Sequence, residues 1–224
     1  MLRGSGLRLL LSIVVCALLM SARANATTLT TTLAGTGFDA SGNVVAGGAI
    51  DGNWTINGSG HGPAAYVLGP TQQNYYSGWQ ANDNSNGFIG SAWIGDTTTN
   101  PTGAVPYTFS MTFSLAAFNT ADAITINANW WIDDTGSIAI NGNTVASGSG
   151  IEGSAITINN WSLLNQGLNT VAITMTANDN VDDGVRFQGY VTGTALPEPT
   201  VWSVLGGASL LLALAGETRK QRTV

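Results

Sequence analysis

The sequence predicts an all-β protein, an antiparallel two-sheet β-sandwich held between two apolar ends. Three observations carry that reading. Apolar and polar residues alternate with a period of two through the interior of the chain. The gaps between these runs are rich in Gly, Asn, Asp and Ser, the residues that turns require. No interior stretch shows a helical period, which leaves strands as the elements that bury the apolar face.

Taken in order, the clearest runs lie in the second half. Tyr107, Phe109, Met111, Phe113 and Leu115 alternate with Thr and Ser. Ile124, Ile126, Ala128, Trp130 and Ile132 form a second apolar face, with Trp131 on the polar phase opposite Trp130. Asp133-Asp134 reads as an acidic turn into a short strand, Ile138–Ile140. Asn141-Gly142 is a strong hairpin signal before Val145. Val171 to Ala177 and Val185 to Val191 supply two further strands. Residues 27–105 are expected to add the remaining strands and loops. With no internal repeat and no linker, residues 27–195 read as one domain, long enough to bury a core without disulfides. The sole cysteine, Cys16, lies ahead of it.

The ends read as addresses. Arg3 and Arg8 precede an apolar run from Leu9 to Met20, and Ala24-Asn25-Ala26 follows. Positive start, apolar centre and small residues at the cut make residues 1–26 a signal peptide, cleaved by signal peptidase after Ala26. At the other end, Pro197-Glu198-Pro199 precedes an apolar run from Val201 to Gly216, then Arg219, Lys220 and Arg222. Pro-x-Pro ends regular structure. A 16-residue helix spans about 24 Å, marginal for a bilayer, and the basic cluster would hold the cytoplasmic side.

That order of Pro-Glu-Pro, apolar helix and basic tail over residues 196–224 resembles the PEP-CTERM sorting signal of Gram-negative bacteria. Glu217, an acid ahead of the basic cluster, departs from the pattern. The resemblance implies recognition by an exosortase, membrane contact through the C-terminal helix before processing, and release or attachment at the cell surface alongside exopolysaccharide. A second resemblance covers residues 106–194. Trp130 to Gly142, the entry Gly167-Leu168-Asn169 into the next strand, and the closing run Val185 to Val191 are similar to the galactose-binding-like jelly roll of bacterial carbohydrate-binding modules. It implies a jelly-roll sandwich and a glycan ligand.

Charge narrows the partners. Between residues 27 and 196 there is one Lys or Arg, Arg186, against eleven acids. Nucleic-acid binding needs cations that displace counterions from phosphates, so it is excluded. Arg186 is expected to pair with a neighbouring aspartate. His61, the only histidine, lacks a Gly-x-Ser-x-Gly elbow, so a catalytic triad is not indicated. One His and no cysteine in residues 27–196 disfavour zinc. The loop Asn178 to Gly184 concentrates hard oxygen donors, and Asp179, Asp182 and Asp183 are candidate calcium ligands. Asp83 in Asn82–Asn86 forms a weaker cluster. A pair drawn from Asp133, Asp134, Asp179, Asp182, Asp183 and Glu152 would suit glycoside hydrolysis only at the right separation. Trp131, Trp79, Tyr75 and Tyr76 border polar, Gly-rich segments and are candidate glycan contacts; Trp93 shares that setting, and Trp130 reads as core.

The expectation is an exported, exosortase-processed surface or matrix protein, non-enzymatic, with a carbohydrate-binding β-sandwich. The alternatives are a calcium-dependent glycan-degrading enzyme and a passive, self-associating coat protein.

Overall fold

The computed structural model describes residues 27–39, 41–58, 62–79, 91–99, 106–178 and 182–196. Several sequence expectations lie outside these residues: the signal segment with Ala24 and Ala26, His61, the Asp83 cluster, Asp179, Pro197-Glu198-Pro199, and the apolar helix with its basic tail. The side chain of Glu152 lies outside them as well.

Among the described residues the fold is all-β, a jelly-roll sandwich. Nine strands make it: β1 (Thr28–Thr32), β2 (Ile50–Asn57), β3 (Ala64–Val67), β4 (Ile94–Gly95), β5 (Pro106–Ser114), β6 (Thr125–Ile140), β7 (Asn143–Ile158), β8 (Leu168–Thr176) and β9 (Gly184–Thr194). Every pairing between them is antiparallel. Seven strands close a ring in the order β9, β4, β3, β2, β5, β8, β6 and back to β9. β1 attaches to the free side of β9, and β7 to the free side of β6.

The ring closes because β6 serves both sheets. The acidic turn expected at Asp133-Asp134 is instead the point where one continuous 16-residue strand changes partner. Its first half pairs with β9, ending at Asp133 opposite Gly184. Its second half pairs with β8, beginning at Thr135 opposite Thr176. Asp and Gly are poor strand formers, and here they mark the bend between sheets rather than a reversal of the chain.

The alternating faces meet in one core. Trp54, Phe109, Ile126, Trp130, Ile173 and Phe187 are buried in it, with Trp54 and Phe187 tilted at 5.5 Å between ring centroids. Burying each such side chain contributes roughly 1.5–3 kcal/mol. The Asn141-Gly142 hairpin forms as expected, both residues in the left-handed region at φ 49° and 81°, which a type I′ turn demands. Asn141 also ties the turn to the next strand. Its Nδ2 donates to the Leu163 carbonyl and to Asn169 Oδ1, and its Oδ1 accepts from the Thr170 amide at 2.9 Å. The two asparagines quoted for the jelly-roll resemblance are thus bonded to each other.

A buried carboxylate organises the start of β2. Asp51 accepts hydrogen bonds from the amides of Gly37 (2.6 Å), Asn53 (2.8 Å) and Trp54 (3.2 Å). It fastens the Gly37 turn to the sheet.

Candidate functional site

The outer face of β6 and β9 carries a second apolar cluster of Leu68, Trp79, Trp93 and Trp131, with Tyr75 and Ile151 packed on it. Alternation places Trp131, Arg186 and Gln188 on this face, where the sequence reading expected solvent. The structure covers it instead. Trp79 and Trp93 stack at 4.3 Å and 14°, and Tyr75 meets Trp79 edge-on at 5.5 Å. A Cβ on Gly184 would sit 2.9 Å from the Trp79 ring, so a glycine there lets the indole lie on β9. Likewise a Cβ on Gly153 would strike the Trp131 indole, so that ring lies flat on β7.

Arg186 completes this layer. Its guanidinium sits 4.4 Å above the Trp131 ring, and its Nε donates to Ser91 Oγ at 2.7 Å. Ser91 Oγ in turn bonds Gln188 Oε1 at 3.2 Å. Arg186 is 0% exposed. Cation–π contact and hydrogen bonding are the compensation a buried guanidinium requires.

Beside this layer, at the bend of β6, opens a cleft of about 520 Å³ lined by Tyr76, Asp133, Asp134, Ser149, Gly150, Ile151 and Asp182. Two of its carboxylates are held from behind. Trp79 Nε1 donates to Asp133 Oδ2 at 2.7 Å, and the Asn178 amide donates to Asp134 Oδ2 at 2.6 Å. Asp182 takes a left-handed backbone, φ 57°, which Asp tolerates better than most residues. Tyr76 is 43% exposed. Its ring rests on Gly78, where any Cβ would collide with it. The Cε1–Cζ–Oη side of the ring is therefore packed against main chain.

The candidate residues divide accordingly. Tyr76, Asp133, Asp134 and Asp182 come together in the cleft. Trp79 and Trp131, at 3% and 6% exposure, lie beneath the surface; their role visible here is to shape and anchor the cleft, Trp79 by its bond to Asp133. Tyr75 packs on the same tryptophans. Trp130 is core, as expected. Asp183 parts from Asp182. The Asn74 side chain clamps its backbone at both N–H and C=O, and its carboxyl is buried near Tyr107. Burial first, then the carboxylates of Asp183 and Asp96, push the Tyr107 phenol far above its ordinary range. Among the described residues no group of three or more His, Cys, Asp or Glu stands close enough to hold a metal ion.

A smaller hollow of about 240 Å³ lies at Leu33, Phe38, Asp39 and Asn53. Asn43, first by its side chain, holds the exposed Asp39 carboxyl below its ordinary range, and that carboxylate is already engaged within its own loop. Ser149, Gly150 and Ile151 are the cleft residues that sequence reasoning missed, since a Gly- and Ser-rich stretch reads as loop rather than as the long strand β7.

No family model and no curated protein sequence matches the chain. Among solved structures it is similar to TmCBM61 in complex with β-1,4-galactotriose, at 15% identity and TM-score 0.36, covering 63% of this chain and 88% of that one. It is also similar to the CBM36-1 domain of a multidomain xylanase from the hindgut metagenome of Trinervitermes trinervoides (15%, TM-score 0.27, 63% and 97%). A third is the Podospora anserina GH26-CBM35 β-(1,4)-mannanase (11%, TM-score 0.29), of which this chain spans only 29%. The first two are carbohydrate-binding modules. The third carries one joined to a mannanase.

Proposed function

We propose that this is an exported, non-enzymatic surface or matrix protein that binds polysaccharide through the Tyr76 cleft. The observation that carries the reading is the cleft itself: an exposed ring backed by glycine beside three carboxylates, two of them anchored. Sugar rings present C–H faces that stack on an aromatic side chain, and hydroxyls that donate to carboxylates in charge-assisted bonds. An open site with one oriented ring and a few convergent polar groups suits a glycan chain lying across it. The terminal sequences support the route. Signal peptidase would act at Ala26, and an exosortase would process the chain near Pro197-Glu198-Pro199. Calcium belongs to the proposal as a cofactor of the loop that carries Asp179 and Asp182; the third candidate, Asp183, has its carboxyl buried beside Tyr107, away from the cleft that Asp182 lines.

The test is retention of the protein on the exopolysaccharide of its own host, with calcium and with chelator. Tyr76→Ala is expected to weaken binding by at least about tenfold, the equivalent of roughly 1.4 kcal/mol. Loss of binding in chelator adds calcium to the account. No retention in either condition rejects the reading. The carboxylates of the cleft also admit a glycan-cleaving activity, which release of new reducing ends, abolished in Asp134→Asn, would establish in place of simple binding.

A further inference from the structure

Over the first half of β6 the sheet runs in the order β1, β9, β6, β7. Among the described residues no strand pairs with the outer side of β1 or with the outer side of β7. Both margins are short and regular. β1 is Thr28–Thr32, and the last five residues of β7, Ser154 to Ile158, face Trp130 to Ile126 without a register shift. Neither five-residue stretch contains Lys, Arg, Asp, Glu or Pro. Edge strands are ordinarily guarded by such residues or by bulges. The bulges and positive-φ glycines of β7, Gly150 and Gly153, stop short of this segment.

The geometry of the free donors can be assigned on β1. The Leu33 amide donates to the Gly189 carbonyl at 2.9 Å. By the alternation of an antiparallel ladder, Leu29 and Thr31 also bond toward β9. The N–H and C=O groups of Thr28, Thr30 and Thr32 therefore point outward. Direction matches as well. Each step from β1 to β9 to β6 to β7 reverses the chain, so β1 runs antiparallel to β7. A second copy in the same orientation would set its β1 antiparallel against the β7 of the first. Leu29 and Ile156, each partly buried at the margin of its own core, would share the inner face of the new pair.

We infer that the two margins are complementary halves of one interface, and that copies of this chain join edge to edge through β1 of one and β7 of the next. The contact uses different surfaces on the two partners, so it does not close on itself and builds a filament. It is independent of the glycan reading, since neither margin includes a residue of the Tyr76 cleft.

The experiment is sedimentation velocity on the protein recovered from the surface of its host, over rising concentration. Species extending past the dimer are expected. Thr30→Pro deletes one outward amide while sparing the β9 ladder, and Thr157→Lys charges the β7 margin. Each alone should raise the concentration needed for assembly by at least about tenfold, whereas Thr30→Val should assemble like the parent. Near-ultraviolet circular dichroism verifies that each variant is folded; if Thr30→Pro is not, Thr157→Lys carries the test alone. Mixed together, the two blocked variants retain one good edge each and should form a one-to-one dimer that grows no further. A parent that stays monomeric, one that stops at a dimer, or undiminished assembly of folded Thr157→Lys would each overturn the inference.

Discussion

Asp51→Ala is expected to lower the unfolding free energy by about 4 kcal/mol, since each stranded buried donor costs about 1–3 kcal/mol and relaxation recovers part of the sum. Three amides, from Gly37, Asn53 and Trp54, lose their acceptor together. Two of them belong to β2 and one to the turn that β2 must hold. Trp54 is itself fully buried, so water cannot reach the vacated position without loosening the packing around the indole. Urea unfolding followed by tryptophan fluorescence measures the change; a loss below about 1 kcal/mol would show that the amides find other acceptors. The effect has a pH signature. Burial, outweighing the amide bonds, raises the Asp51 carboxyl above its ordinary 3.8. The folded state then holds the proton more tightly than the unfolded state. The contribution of Asp51 to stability is fully present below pH 3.8 and declines as pH rises through the folded-state value. The gap between parent and Asp51→Ala should accordingly be wider at acid pH than at neutrality.

Gly136→Ala is expected to cost about 3 kcal/mol, at the upper end for overpacking. Gly136 lies in β6 just past the partner switch, opposite Met175 of β8. A Cβ there would fall on the Thr174 carbonyl oxygen and on Ile132 Cδ1. The isoleucine end can rotate away. The carbonyl cannot, because β8 is paired with β5 on one side and β6 on the other. The added methyl must push the two strands apart where the sheets join. At roughly 2–4 °C per kcal/mol for a domain of this size, the melting temperature should fall by about 10 °C. Gly148→Ala is the control, because its Cβ would meet only Trp130 Cζ2 at 3.8 Å, and it should cost under about 1 kcal/mol. Equal losses in the two variants would mean that β propensity, not the close approach at Gly136, sets the result.

Much of the second half of the fold was legible because its strands are amphipathic. β5 and β8 bury one side and present mainly Thr or Ser on the other, so a period of two marks them within a few residues; β9 alternates in residue type although both of its sides are buried over its first six residues. The Asn141-Gly142 turn was legible because few dipeptides accept two successive positive φ angles. The continuity of β6 was not. Asp133 and Asp134 carry the composition of a turn, and only the change of partner from β9 to β8 explains why they stand in a strand. β7 was hidden for a related reason: its glycines serve the Trp131 indole and the bulges, and they read locally as loop.

The candidate site was half legible. Tyr76 and the aspartates could be named from residue type, but the burial of Trp131 could not. Periodicity tells which residues share a face of a strand. It does not tell whether a distant segment, here the one bearing Trp79 and Trp93, will be laid over that face. Asp182 and Asp183 illustrate the same limit at shorter range. They are neighbours in sequence, yet one borders the cleft and the other is clamped inward by Asn74.

The burial of Arg186 decides how the folded protein meets reagents. It is the sole Lys or Arg between residues 27 and 196, and none of it reaches the surface. A protease that cuts after basic residues would find its sites only at Arg23 and before, or at Arg219 and beyond, while the domain stays folded. With no lysine in the same stretch, amine-directed labels and crosslinkers would reach nothing there but a chain-terminal amine. Cleavage at Arg186 thus becomes a clean reporter of unfolding, dividing the domain near the start of its last strand only after that strand has left the sheet.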